Sequence, residues 1–356
     1  MLPPLQTQDW SDDSDTDSVV VVVPSYNHAK YIERTLRSIF AQTLKPTCLI
    51  VIDDGSTDGS SEIIERVLID APSPAKLIAH ENRGLSATLN EGFALCFGGP
   101  RVCKGVNEGQ SGGPRLPAFF AYLGSDDVWF PDFLEKRVAL LKTRPTAVLA
   151  YGNAYSIDAN DRIIDCSVDW AHYTDGDARM MLLEGTAPLS PSVVYRRAAI
   201  DGISWNENSR LEDYEFYLRL SVKGEFAYRP EILCAWRQHG ANTSEGSLMM
   251  MEEKIAALRQ TQDFLGLSSN LEPLISLARF RGAQELMRRG HKSLAAKHGL
   301  PNLTAARSLN EVTRFLAGLL VPTEMLRSRR SESRKVATAK YGRLDLREHE
   351  SSDMRS

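Results

Sequence analysis

The sequence predicts an α/β fold built on a mostly parallel central sheet with helices on both faces, followed by a helical C-terminal extension. Three observations predict it. Val19–Val23 and Leu49–Ile52 are continuous apolar runs without polar alternation, the pattern of strands buried on both faces of a parallel sheet. Segments of strand length alternate with segments whose apolar residues recur at helical spacing. From Met249 onward the spacing becomes mostly helical.

The elements follow in order. Val19 to Val23 form the first strand, which Pro24 is expected to stop. Ile32, Leu36, Ile39 and Phe40 recur at helical spacing between Tyr31 and Gln42, and "TLKPT" then leads into a strand from Cys48 to Ile52, completing a βαβ unit. A second helix covers Ser60 to Leu68, "KLIAH" is a short third strand, and Ser86 to Phe97 is a third helix. Residues 98–117, "GGPRVCKGVNEGQSGGPRLP", are rich in glycine and polar residues and read as a flexible surface insertion. The strand "AFFAYL" ends at the acidic "GSDD", a helix runs from Pro131 to about Thr143, and "AVLAYG" is the next strand. The resulting division is a disordered acidic leader over 1–17, a main domain over 18–248, a helical region over 249–325 and a basic, polar tail over 326–356. The tail, with Arg327, Arg329, Arg330, Arg334 and Lys335, lacks apolar periodicity and reads as solvated and removable, with peripheral attachment to anionic lipid as the lesser reading. The helical region leaves open an acceptor lid, a homodimer contact or a membrane-surface patch.

The composition of the 356 residues is ordinarily globular, and a net charge of −4 points to no nucleic-acid partner. Five scattered cysteines without a CxxC pair argue against a disulfide framework and a zinc site, and fit a reducing cytoplasm. The first residues are acidic where a secretory signal is basic and then apolar. The runs "VVVVV" and "FLAGLLV" fall far short of the roughly 20 residues that cross a bilayer.

The loop "VIDDGSTDGSSE" partly fits a calcium-binding pattern, with Asp54, Asp58, Gly59 and Glu65 at the first, fifth, sixth and twelfth places. Such a loop is entered from a helix, however, and this one follows a β-branched run; its eighth place holds Ser61 where an aliphatic residue belongs. A strand ending in two carboxylates ahead of a helix belongs instead to the ligand crevice of an open α/β sheet. A second acidic pair, Asp126 and Asp127, ends another strand, and both pairs are expected at one sheet edge. Carboxylates crowded at one crevice repel unless a cation neutralises them, which favours a divalent metal with phosphate as co-ligand; helix capping is the bland alternative.

At these residues the chain resembles inverting family 2 glycosyltransferases of GT-A fold. The likeness runs from about Ser18 to Ser244 through "VVVVPSYNHAKYIERTLRSIFAQT", "LIVIDDGSTDGS", "NRGLSATLNEGF", "YLGSDDVWFPDFLEK" and "LEDYEFYLRL" in the family's order. The resemblance implies transfer of a sugar from a nucleoside-diphosphate sugar, with UDP the expected carrier, to an acceptor hydroxyl in polysaccharide or glycoconjugate synthesis. It places Pro24, Ser25 and Tyr26 at the nucleotide, Tyr26 against the base, and Asp54 at the base's ring nitrogen with Asp53 structural. Arg83 and Gly84 would approach the ribose or diphosphate, and Asp126 would reach the ribose or the metal. It makes Asp127 the ligand of a divalent Mn or Mg ion, with His239 a ligand from the other side or a structural hydrogen-bonding residue. Many members carry a further aspartate where this chain has Gly124, which leaves fewer carboxylates for the metal. Asp213 would be the general base and Glu212 an orienting neighbour; helix neighbours face different ways, so the two should not share a role.

The saccharide, lipid-linked or protein nature of the acceptor is not written in these residues. Two other readings remain at this stage. A sugar-1-phosphate nucleotidyltransferase would place a glycine-rich basic loop after the first strand, where this chain has "PSYNHAK". A nucleotide- or carbohydrate-binding module without turnover is the other.

Overall fold

The structure is a computed structural model, and it describes residues 2, 4, 5, 7–10, 17–97, 116–239, 246–267 and 271–345. Residues 98–115 of the insertion and the end of the tail lie outside the described residues; of the leader, Leu2 and Trp10 pack against the core and the Trp10 amide donates to the Pro145 carbonyl at 3.0 Å, which corrects the disordered reading at those residues.

In chain order the elements are β1 (Val19–Ser25), α1 (Ile32–Phe40), β2 (Cys48–Asp53), α2 (Ser60–Leu68), β3 (Ala75–Ala79), α3 (Leu85–Phe97), β4 (Phe119–Tyr122), β5 (Val128–Trp129), α4 (Phe133–Lys142), β6 (Ala147–Ile157) and β7 (Ile163–Cys166). There follow α5 (Arg179–Leu183), β8 (Val194–Arg196), α6 (Arg197–Ile200), α7 (Glu212–Leu220), β9 (Glu225–Arg237), α8 (Ser247–Thr261), α9 (Leu271–Arg288), α10 (Lys292–Gly299), α11 (Leu309–Leu320) and α12 (Thr323–Tyr341). Among the described residues the strands form one sheet in the order β3-β2-β1-β4-β8-β6-β9-β5, with β7 on β6. The pairs from β3 to β4 are parallel, β8 runs antiparallel to both its neighbours, and β6 and β9 are parallel.

Strand periodicity explains why apolar runs build this sheet. Val20 and Val22 face one core with Ile50, Ile52, Phe120, Tyr195 and Trp205, while Val19, Val21 and Val23 face the other with Ile32, Leu36, Leu49 and Val51. The strand continues through Pro24, contrary to the expected stop, and pairs Pro24 with Ile52 and Ser25 with Asp53. Beyond Val22 the pairing with β4 has ended, so proline falls where β1 has a ladder partner on one side only. The parallel registers align the ends of β1, β2 and β4, bringing Ser25, Asp53 and the turn after Tyr122 to one edge. Cys96, Cys166 and Cys234 are free thiols, whereas Cys48 is disulfide-bonded, which qualifies the cysteine-spacing argument by one bond.

The solvated tail is corrected as far as Asp345. Residues 323–341 form α12, which lies along β7; Thr338 donates to the Ile163 carbonyl at 2.8 Å and Tyr341 to Asp169 at 2.9 Å. Leu344 is buried beside Val128, Phe130, Ile157 and Ile163. A polar helix hides this docking from sequence periodicity, because the anchoring apolar residues sit at its end. Leu344→Ala is therefore expected to lower unfolding free energy by about 2 kcal/mol, measured by denaturant titration, because it empties a packed site. An unchanged midpoint would return the segment to the solvated class. Among the described residues no helix is long and apolar enough to cross a membrane.

Candidate active site

The first acidic loop is tied down by its own side chains. Asp53 accepts from the Ser56 amide at 3.2 Å and hydroxyl at 2.5 Å, and also from the Ser61 hydroxyl. Asp54, buried, accepts from the amides of Arg83 and Gly84 at 2.7 and 2.8 Å. Asp58 accepts from the Ala29 amide at 2.9 Å and the Ser60 hydroxyl at 2.5 Å. Three carboxylates so engaged act as loop hubs, and the calcium pattern dissolves into capping and turn chemistry. Asn27, at a left-handed φ of 54°, stitches the β1 loop to this one by accepting from the Thr57 amide at 2.8 Å. Both oxygens of Asp53 are thus engaged within its own loop, and both oxygens of Asp54 hold the Arg83-Gly84 turn. A cavity of about 520 Å³ opens nearby at the ends of β2 and β3, lined by Asp53, Ser56, Ser61, His80, Glu81 and Asn82. Tyr26 stands exposed at the end of β1, and Arg83 is ion-paired with Glu91.

The second acidic pair divides. The Asp126 carboxylate lies 3.0 Å from His239 Nε2 and 3.8 Å from His28 Nδ1, and one ligand atom from each of the three residues falls within 4.8 Å of the others. The His28 and His239 rings meet edge to face at 5.2 Å, and Tyr31 stacks on His239 at 5.3 Å. Burial lowers the His28 pKa, against the opposing pull of Asp126. Asp127 accepts from the Arg237 amide at 2.8 Å. Burial, and then the charge of Asp126, pushes its carboxyl well above the usual range. The expected metal ligands Asp127 and His239 are not in contact: the carboxylate that meets His239 is that of Asp126, and His28 lies beside them. Sequence reading missed His28, although "YNHAK" follows directly on a strand end at the ligand edge.

Arg237 braces this corner. Its side chain donates to the Asp126 carbonyl at 2.8 Å and to the Asp158 carbonyl at 2.8 Å, pairs with Asp161 at 2.8 Å, and lies 4.7 Å above the Tyr31 ring. A Cβ at Gly124 would lie 3.0 Å from Asp127 Oδ2 and 3.1 Å from Asp126 Oδ1, so a larger residue would ask both carboxylates to shift by a few tenths of an ångström.

Glu212 and Asp213 occupy the first turn of α7 together. Burial and the charge of Asp213 push Glu212 up to about 8, and burial raises Asp213 as well. Burial, then neighbouring Tyr195, Asp213 and Glu212, raises the Tyr122 hydroxyl.

The open, mostly parallel α/β sheet followed by a helical region has the architecture of GT-A type glycosyltransferases. Residues 20–203 match the family described as "Glycosyl transferase family 2", and the chain belongs to that family. It is 27% identical over 248 residues to an uncharacterized glycosyltransferase of Nostoc sp., covering 67% of this chain and 70% of that protein. It is 27% identical over 236 residues to an Escherichia coli chondroitin synthase, covering 66% of this chain and 31% of the synthase, so it spans about a third of that relative. A mannosyltransferase from Pyrobaculum calidifontis, solved in complex with GDP-Man and Mn²⁺, shares the fold with a TM-score of 0.54 at 16% identity, covering 95% of this chain and 89% of that one.

Proposed function

We propose that this enzyme transfers a sugar, with inversion, from a nucleoside-diphosphate sugar to an acceptor hydroxyl, using a divalent cation. The convergence of His28, Asp126 and His239 on one point carries this reading. Two imidazoles and a carboxylate are a donor set that suits Mn²⁺, and Mg²⁺ is the harder alternative. An ion held there would neutralise the diphosphate as it leaves.

The chain's own groups supply the rest. The polar hollow at the ends of β2 and β3 would seat the base, and the turn held by Asp54 would face the ribose and diphosphate. Asp213 takes the proton of the acceptor hydroxyl as its oxygen attacks the anomeric carbon from the face opposite the leaving diphosphate. Glu212, raised to about 8, keeps its proton at neutral pH, so the pair holds one acceptor for a proton and one donor to orient the hydroxyl. Likeness to a chondroitin synthase supports a product among polysaccharides or glycoconjugates.

Calorimetry with UDP and GDP, each with and without Mn²⁺, tests the donor side without an acceptor. At least one nucleotide is expected to bind, and more tightly with the metal. Absence of binding by both in its presence would overturn the proposal.

A further inference from the structure

A cavity of about 230 Å³ lies between α7, α8 and α9, apart from the histidine-aspartate-histidine corner. Its walls include Gly185, Tyr214, Ser247, Lys254 and Arg281. A Cβ built on Gly185 would lie 3.7 Å from Lys254 Nζ and 3.9 Å from Arg281 Nη1, so two cationic heads converge on a point that glycine, at φ +83°, leaves open. The carboxylates of the same wall are engaged elsewhere: Glu184 with Arg307, and Glu285 with Arg288 and Arg289 at 3.6 and 2.8 Å. Lys254 donates to the Gly185 carbonyl at 3.0 Å, which leaves ammonium N–H groups to spare. Among the described residues Arg281 makes no hydrogen bond or ion pair, and the Ser247 hydroxyl, on a residue only 8% exposed, has no partner.

Two confined cations and a buried hydroxyl with nothing to bind are costly without an anion between them. Burial and then Arg281 lower the Lys254 pKa against the opposing pull of Asp213 and Glu285, and burial and then Arg307 lower that of Arg281 against Glu184 and Glu311, so a bound oxyanion would relieve the repulsion that these carboxylates leave. The hollow adjoins the proposed base: Tyr214, whose ring lies 5.7 Å from Lys254 Nζ, follows Asp213, and the Lys254 charge acts on Asp213.

We propose that Lys254, Arg281 and Ser247 seat a phosphate or carboxylate group of the acceptor, which makes the acceptor an anionic molecule. The acceptor role rests on Asp213 being the base of the proposed transfer; the anion seat does not. Calorimetry of the full chain with glycerol 3-phosphate, glucuronate and, as neutral control, glycerol tests the seat. Glycerol 3-phosphate or glucuronate is expected to bind where glycerol does not, and the stronger of the two identifies the anion. Lys254→Met and Arg281→Gln should each weaken that binding roughly tenfold, as loss of a hydrogen bond to a charged group does. UDP with Mn²⁺ should leave it in place. No anion binding to the unaltered protein, equal affinity in both variants, or displacement by UDP would overturn the seat; Arg281, half-buried, serves as the second variant should Lys254→Met fail to fold. If UDP fails to bind with metal while the anion still responds to Arg281→Gln, the donor reading fails and the seat stands. The reverse result sinks the seat alone.

Discussion

Asp213→Asn is expected to reduce sugar transfer by roughly 10²–10⁴ while nucleotide affinity stays close to that of the unaltered protein. The substitution keeps the shape of the side chain and removes its capacity to take a proton. A pH profile adds a signature that a merely structural role would not produce. Both carboxyls of the pair are raised by burial, so the native state holds a proton that an unfolded chain would release, and the acid limb of the rate should extend toward neutrality. For the same reason the Glu212 carboxyl favours the folded state at acid pH and loses that contribution as pH rises through about 8. Glu212→Gln should leave the acid limb nearly in place, because Glu212 already keeps its proton while Asp213 titrates and burial, not the Glu212 charge, raises Asp213. Wild-type turnover in Asp213→Asn would transfer the role to Glu212.

Asp126→Ala is expected to weaken nucleotide binding roughly a hundredfold with Mn²⁺ present, the upper end of what even outer-shell partners of a metal contribute, and to change it little without the ion. His239→Ala should follow the same pattern. Asp127→Asn is the informative contrast. An amide oxygen can still accept from the Arg237 amide, and burial already favours the uncharged form of this carboxyl, so the metal-dependent part of the affinity should persist. If Asp127→Asn abolished the response to Mn²⁺ and Asp126→Ala did not, the ligand would be Asp127 after all. Calorimetry of the three variants, with circular dichroism as fold control, reads the difference.

The alignment of strand ends in the first half of the sheet was legible because its signals are local. A β-branched run, an acidic pair and a glycine-serine turn occupy a dozen residues, and their order along the chain suffices to align strand ends at one edge. The choice between Asp126 and Asp127 was not legible. Adjacent residues in a turn point apart, and the direction of each depends on Arg237 and His239, more than a hundred residues away. His28 was missed for a related reason: its significance appears only when β9 returns to pair with β5 and carries His239 to it. The strands after Tyr155 blurred because β6, β8 and β9 mix parallel and antiparallel pairings with register shifts, and no short window shows such partners. The docking of α12 depends on Tyr341 and Leu344, two apolar residues after a long polar stretch.

The bracing around Arg237 bears on how this enzyme can be recombined with its relatives. Asp161 binds Arg237 on one side and Arg34 on the other, and Arg34 in turn donates to the Leu344 carbonyl at 3.3 Å. The matched family region ends at residue 203, before Asp213, Arg237 and His239. A chimera cut at that boundary would separate His28 and Asp126 from His239, one of the three residues proposed to hold the metal, and from the arginine that braces that corner. Workable grafts would exchange 18–239 as a unit and carry the 323–345 segment with it, so the portable module is set by which side chains close on one another across the sheet and not by where sequence likeness fades.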